Sequence, residues 1–286
     1  MSTDANHDEP SGSTRDDEHV SRIERTETFT SHGPIQARVT SASGDVAITP
    51  SSSSEVRVTL RARGRENREL LDRAEVTFNA ASGILSVHTR RSDFGASDGL
   101  KFVFSRKSWF GTGNNDLDVF VSVPEESTID VKTASGDTKV TGAMSGVSVA
   151  SASGDVLIID DVASLDVKTA SGDVRTARVR ENLVCQSASG DVRCAGAAQT
   201  TQIRTASGDV ALAVTRSGEV NVRSVSGDVA ITVASGLVID VDATAVSGDL
   251  TSTIPLDTKG TNLTGGDVVV VDVKTVSGDL KIRTAP

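Results

Sequence analysis

The sequence has no tyrosine, one tryptophan and an aromatic content of only 3%. A compact globular core draws heavily on large aromatic side chains, so their scarcity argues against one here. The apolar residues, 37% of the chain, are mostly Val, Ala, Ile and Leu. Such side chains suit a narrow core between closely spaced β-sheets. Cysteine is scarce too. Cys185 and Cys194 form no Cys-x-x-Cys pair and have no neighbouring His, so a disulfide framework is excluded. Both read as small buried apolar residues. No basic run is present and the formal net charge is −10, which argues against a nucleic-acid partner. No apolar stretch is long enough to span a bilayer. Residues 1–22 are polar and rich in Ser, Asp and Glu, without the apolar core of a secretory signal. They read as a disordered acidic tail. The expectation is a cytoplasmic protein with no transmembrane segment, association with a surface being left open.

What the sequence has in quantity is glycine, 25 residues, and a repeat built around it. Ser-Gly-Asp occurs with Gly at 44, 136, 154, 172, 190, 208, 227, 248 and 278. The spacings are 92, then 18 four times, then 19, 21 and 30. Each unit carries two strand-like runs, such as Val156–Ile159 and Leu165–Thr169, separated by turn residues. The runs alternate apolar and polar, the period of a sheet with one buried face. Aligned on the glycines, the second residue after Gly is Val, Leu or Thr and the fourth is mostly Ile, Val, Leu or Cys. Val149, Val167, Cys185 and Ile203 stand thirteen after. These columns are the expected inward ladders, and both cysteines fall in them. The outward columns are polar. Lys132, Lys168, Gln186, Arg204, Arg223 and Lys274 stand four before Gly, and the aspartates one after it.

One unit cannot bury its own apolar face, so units must stack at about 4.8 Å per coil. The predicted fold is all-β: a single-chain β-solenoid with 18-residue coils and an irregular N-terminal half. Residues 127–286 form its regular Ser-Gly-Asp part. Residues 23–126 form degenerate coils with an aromatic insertion at 90–115, and one short helix is expected within Arg65–Ala74.

The run Leu117–Pro124, followed by Ile129-Asp130-Val131-Lys132-Thr133-Ala134-Ser135-Gly136-Asp137, resembles the bacterial adhesin-like β-strand-repeat family of unknown function. Its members show a strand ending in Val-Pro and then successive Ser-Gly-Asp coils. The likeness covers residues 23–284 and is weakest at 90–115. It implies a right-handed solenoid and supplies no catalytic residues.

Four features bear on function. The aspartates of the repeat turns, with their glycines, are Gly136-Asp137, Gly154-Asp155, Gly172-Asp173, Gly190-Asp191 and Gly208-Asp209 in the regular units. Stacked carboxylates suit Ca²⁺, but turn chemistry accounts for them: Gly supplies a left-handed backbone, and Ser and Asp bond to local N–H groups. Polysaccharide cleavage requires a break in the repeat with grouped carboxylates, and none is seen. His7, His19, His32 and His88 are scattered, and no nucleophile elbow, phosphate loop or zinc spacing occurs. No cofactor is implied. The segment 92–115 gathers Phe94, Phe102, Phe104, Trp109 and Phe110 with Lys101, Arg106 and Lys107, and Phe94, Trp109 and Phe110 are the candidates for docking a partner. Pro255–Asp267 reads as an exposed loop. The bare strand groups of the C-terminal coil offer a route to a homo-oligomer.

The leading expectation is therefore a non-enzymatic structural or adhesin-like binding scaffold for an unknown protein or surface partner. A self-stacking assembly scaffold is second, and a carbohydrate-active β-helix enzyme third.

Overall fold

The computed structural model describes residues 23–62, 68–89, 117–253 and 268–285. The acidic tail, the aromatic segment and the loop 254–267 lie outside the described residues. The first part of the chain holds β1 (Ile23–Thr30), β2 (Gln36–Ser41), β3 (Val46–Ser51), β4 (Glu55–Ala62), the helix α1 (Arg68–Arg73), β5 (Glu75–Asn79) and β6 (Ile84–His88). Next come β7 (Leu117–Pro124), β8 (Thr128–Thr133), β9 (Thr138–Val140), β10 (Met144–Ser153), β11 (Val156–Ile158), β12 (Val162–Ser171) and β13 (Val174–Ser189). The last are β14 (Val192–Gly196), β15 (Thr200–Ser207), β16 (Val210–Val214), β17 (Gly218–Ser226), β18 (Val229–Val233), β19 (Val238–Ser247), β20 (Leu250–Ser252), β21 (Val268–Ser277) and β22 (Leu280–Thr284).

Among the described residues the protein is all-β apart from α1, with the coil-on-coil stacking of a β-solenoid. Two parallel stacks face each other. The long-strand stack runs β6-β2-β8-β10-β12-β13-β15-β17-β21-β19. The short-strand stack runs β7-β3-β9-β11-β13-β14-β16-β18-β22-β20. β13 serves both, its first half in one stack and its second half in the other. In the short-strand stack Thr138, Val156, Val174, Val192 and Val210 stand one on another. Between the stacks lies a thin, continuous core of Val, Ile and Leu. Val149, Val167, Cys185 and Ile203 are all fully buried in it. Each such Val, Leu or Ile contributes about 1.5–3 kcal/mol on burial.

The coils do not stack in chain order. Residues 36–51 lie inside residues 84–124, because β2 pairs with β8 on one side and β6 on the other. At the other end β21 sits between β17 and β19, and β22 between β18 and β20. This corrects the expectation that the C-terminal coil presents the bare edge: β21 and β22 have a strand on each side, and among the described residues it is β19 and β20 that have one neighbour. The apolar ladders give the reason. Val269, Val271 and Val273 fill the inward positions of β21, where β19 offers Ile239, Val241 and Ala243. Val273 and Ile282 stand where the other coil has only Ala243 and Ser252, so the coil with the larger apolar side chains has neighbours on both sides, and Val269, Val271 and Val273 are 0% exposed there.

The N-terminal end is closed differently. β4 pairs antiparallel with β7, β1 with β4, and β5 with β6, so these strands are a lid rather than degenerate coils. Phe29 of β1 meets Phe78 of β5 with ring centroids 5.4 Å apart. Arg25 donates from Nη1 to the carbonyls of Leu71 and Ala74, both at 2.8 Å, and so ties β1 to the end of α1. Among the described residues no helix is long and apolar enough to cross a membrane.

Candidate binding surface

The repeat turns form a ladder along one corner of the solenoid. Gly154 has φ +121 and Gly172 +127, a region other residues rarely adopt. A Cβ on Gly172 would lie 2.2 Å from the carbonyl oxygen of Gly154. Both the torsion and the contact therefore demand glycine. Oδ1 of Asp155 accepts the backbone N–H of Asp173 at 2.8 Å, and Oδ1 of Asp173 that of Asp191 at 3.0 Å. The same bond joins Asp137 to Asp155, Asp191 to Asp209 and Asp209 to Asp228. This corrects the expectation of local bonding by Asp: the carboxylates reach across to the next coil. Local turn bonds come instead from the residue three before Gly, as when Thr169 Oγ1 donates to the carbonyl of Ser171 at 3.0 Å.

The first carboxylate of the ladder was not expected. Asp118 lies outside any Ser-Gly-Asp, yet its Oδ1 accepts the N–H of Asp45 at 3.1 Å. The legible signal is the pattern Asp118-Val119-x-Val121, which matches Asp45-Val46-x-Ile48. The N–H of Asp209 and the guanidinium of Arg193 hold the Asp191 carboxyl below the usual carboxylate range. Among the described residues no group of three or more His, Cys, Asp or Glu is placed to hold a metal ion.

Arginines flank this corner. Arg175 Nη2 lies 2.7 Å from Asp173, and Arg193 Nη2 2.8 Å from Asp191. These cations come from the third position after Gly, whereas two of the expected basic column pair within their own strands, Lys168 with Asp166 at 3.8 Å and Lys274 with Asp272 at 3.3 Å.

Beyond the arginines the outer face of the short-strand sheet turns apolar. Leu157 is 37% and Ile159 41% exposed. Ala177, Ala195, Ala213 and Ala230 continue the surface beside them, and together they line a groove of about 490 Å³. A second concavity of about 730 Å³ lies further along, walled by Phe120, Leu157 and Arg175 and bordered by Asp45, Asp118 and Asp137. There the Arg61 guanidinium sits 4.6 Å from the centre of the Phe120 ring. Inward-facing groups stay inert. Burial pushes the Cys185 thiol up to about 12 and Cys194 to about 11, and both are free. Phe94, Trp109 and Phe110 lie outside the described residues.

Residues 38–283 match the Toastrack DUF4097 family, a domain of unknown function. The chain belongs to that family. No curated protein matches it. Among solved structures, a "putative adhesin" from Bacteroides fragilis is similar at 13% identity and a TM-score of 0.54, over 92% of this chain and 98% of that one. A "putative cell adhesion protein" from Clostridium sporogenes shares 10% identity at a TM-score of 0.29, over 92% of this chain and 100% of its own. A "putative lipid binding protein" from Parabacteroides distasonis shares 9% at 0.30, over 92% and 97%. At such identity the Bacteroides fragilis structure speaks for the fold of this Toastrack chain alone.

Proposed function

We propose that this Toastrack protein is a non-enzymatic binding scaffold of adhesin type, which engages a partner through the outer face of its short-strand sheet. The observation that carries the reading is the apolar groove around Leu157 and Ile159, on a face flanked by charged turns. Its lining residues come from β11, β13, β14, β16, β18 and β22, six successive rungs. At about 4.8 Å per rung the surface is about 24 Å long. A shallow strip of that length suits the apolar row of a protein surface better than a small molecule, which pockets enclose on most sides.

The finer reading, a right-handed solenoid of 18-residue coils working in the cytoplasm, belongs to the same proposal. So does a docking role for Phe94, Trp109 and Phe110. It predicts that a variant with all three changed to Ser melts like the intact protein and loses a partner.

A photocrosslinking residue in place of Ile159, in cells of the source organism, tests the groove directly. Adducts are expected from that position and not from the same residue in place of Lys168 on the long-strand sheet. Adducts from Lys168 alone, or from neither, overturn the assignment.

A further inference from the structure

The outer face of the short-strand sheet carries charge of one sign. From β9 to β22 its outward side chains stand three and five residues after each repeat Gly. Five of them are cations, Lys139, Arg175, Arg193, Lys281 and Arg283, and none is a carboxylate. The others are Leu157, Ile159, two threonines and a run of alanines. The chain as a whole has a formal net charge of −10, so this face departs from its surroundings.

Three of the cations are paired with carboxylates of the turn ladder: Arg175 with Asp173, Arg193 with Asp191 and Lys281 with Asp279. The other two are not. Among the described residues Lys139 forms no ion pair, and Arg283 only donates from Nε to Oγ1 of Thr232 at 3.1 Å. Both are exposed. Lys139 stands one rung before Leu157, and Arg283 lies on the last rung of the groove. Six rung spacings separate them, about 29 Å.

The backbone of the sheet decides the form of the occupant. Strands bond to one another within the plane, so the face offers nothing to the N–H and C=O groups of an extended segment laid upon it. An α-helix pairs its own backbone and is about 10 Å wide, and the alanine floor lets it approach closely. A second copy of this chain is a poor source, since α1, with six residues, is the one helix among the described residues. Residues 1–22 carry acid but little apolar surface beyond Met1, Ala5 and Val20. A flat anionic bilayer meets the row of turn carboxylates, Asp137 to Asp279, that borders the face along its length.

We propose that the groove receives an amphipathic α-helix of another protein, laid across the strands along the solenoid. Its apolar stripe covers Leu157, Ile159 and the alanines, and an acidic residue towards each end meets Lys139 and Arg283. At 1.5 Å per residue, about 19 residues separate the two acids. Recognition of this kind takes its affinity from the apolar stripe and its orientation from the charges. The proposal rests on the groove being a docking surface and adds the chemistry of what docks there.

The test uses the full chain and two fluorescently labelled helical peptides of about 20 residues, each with a leucine stripe and with either Glu or Lys at both ends, at about 150 mM salt. Anisotropy is expected to show binding of the Glu-ended peptide only. Lys139→Glu with Arg283→Glu, at two exposed positions, is expected to melt like the intact protein, to weaken that binding by about tenfold or more and to admit the Lys-ended peptide. Lys168→Glu on the long-strand sheet changes neither. Binding of neither peptide, equal binding of both, or a charge swap without effect overturns the proposal. So does binding of phosphatidylglycerol vesicles that the same swap abolishes, which assigns the face to a membrane. The Ile159 crosslink involves neither charge nor helix: if it still forms after such a result, the groove keeps its docking role with a different occupant, and if it is absent too, the groove reading falls as well.

Discussion

The backbone N–H of Asp249 donates to Oδ1 of Asp279 at 3.1 Å. In every regular coil the donor is the residue later in the chain, as with Asp173 and Asp155. Here the order is reversed, because the coil of β21 and β22 lies inside that of β19 and β20.

That reversal makes a mutational prediction. Val271→Asp buries a carboxylate between two coils and is expected to unfold the protein or cost more than about 4 kcal/mol, since an unpaired buried charge is among the most damaging substitutions. Val241→Asp stands on the open coil and is expected to cost less than half as much. Thermal melts check the pair, and equal losses contradict the coil order. Val167→Asp is the internal standard for a severe loss, and Lys168→Ala on the outer face for a small one.

Gly172→Ala is expected to lower the melting temperature by several degrees. Holding an alanine at φ +127 costs on the order of 1–3 kcal/mol before any clash with the Gly154 carbonyl. Gly33→Ala is the control, because nothing lies within 4 Å of its added Cβ. Scanning calorimetry of the two variants separates the demand of the turn from glycine's general effect on the unfolded chain.

Asp173→Ala removes the acceptor for the N–H of Asp191 and is expected to cost about 1–3 kcal/mol. Asp173→Asn retains an oxygen acceptor and recovers part of that loss. Urea denaturation reads the difference. The same ladder sets an acid limit. The folded Asp191 carboxyl is held lower than in the unfolded chain. Its contribution is therefore complete above the unfolded value, about 3.9, and is lost as pH falls through the lower folded value. Denaturation midpoints should be flat down to pH 5 and fall below pH 4. Asp191→Asn, which cannot titrate, should show a shallower fall.

The cysteines set an alkaline limit with the opposite sign. Burial raises both thiols, Cys185 to about 12 and Cys194 to about 11, from 9.0. Unfolded thiols ionise above pH 9 while folded ones do not. The stability they contribute is thus complete below pH 9 and is lost as pH rises towards the folded values. A thiol reagent at pH 8 is expected to label neither residue in the native protein and both in urea. Cys185→Ser with Cys194→Ser should flatten the alkaline fall.

The inward columns were legible in the sequence because a strict period of two and a regular interval locate Val149, Val167, Cys185 and Ile203 without reference to anything distant. The turns were legible in part. Glycine announces its torsion, but a short side chain such as Asp173 bonds equally well to its own turn or to a neighbour, and only stacking decides. Coil order was not legible. It depends on which of two similar ladders, that of β19 or of β21, gains more from a neighbour on each side, a comparison between segments rather than a property of either. The groove lies in outward positions where Leu157, Ile159 and the alanines are thinly spread along the chain, and they become one surface only when six rungs are stacked.

The interleaved end also fixes an order of events during synthesis. β19 and β20 leave the ribosome before β21 and β22, yet the later pair provides their only neighbouring strands among the described residues. The nascent protein cannot add its coils one by one as they emerge. Until residues 268–284 arrive and slot into place, the stretch 238–252 lacks the strands on which it stacks, so a chain cut before residue 268 is expected to lose two coils, not one.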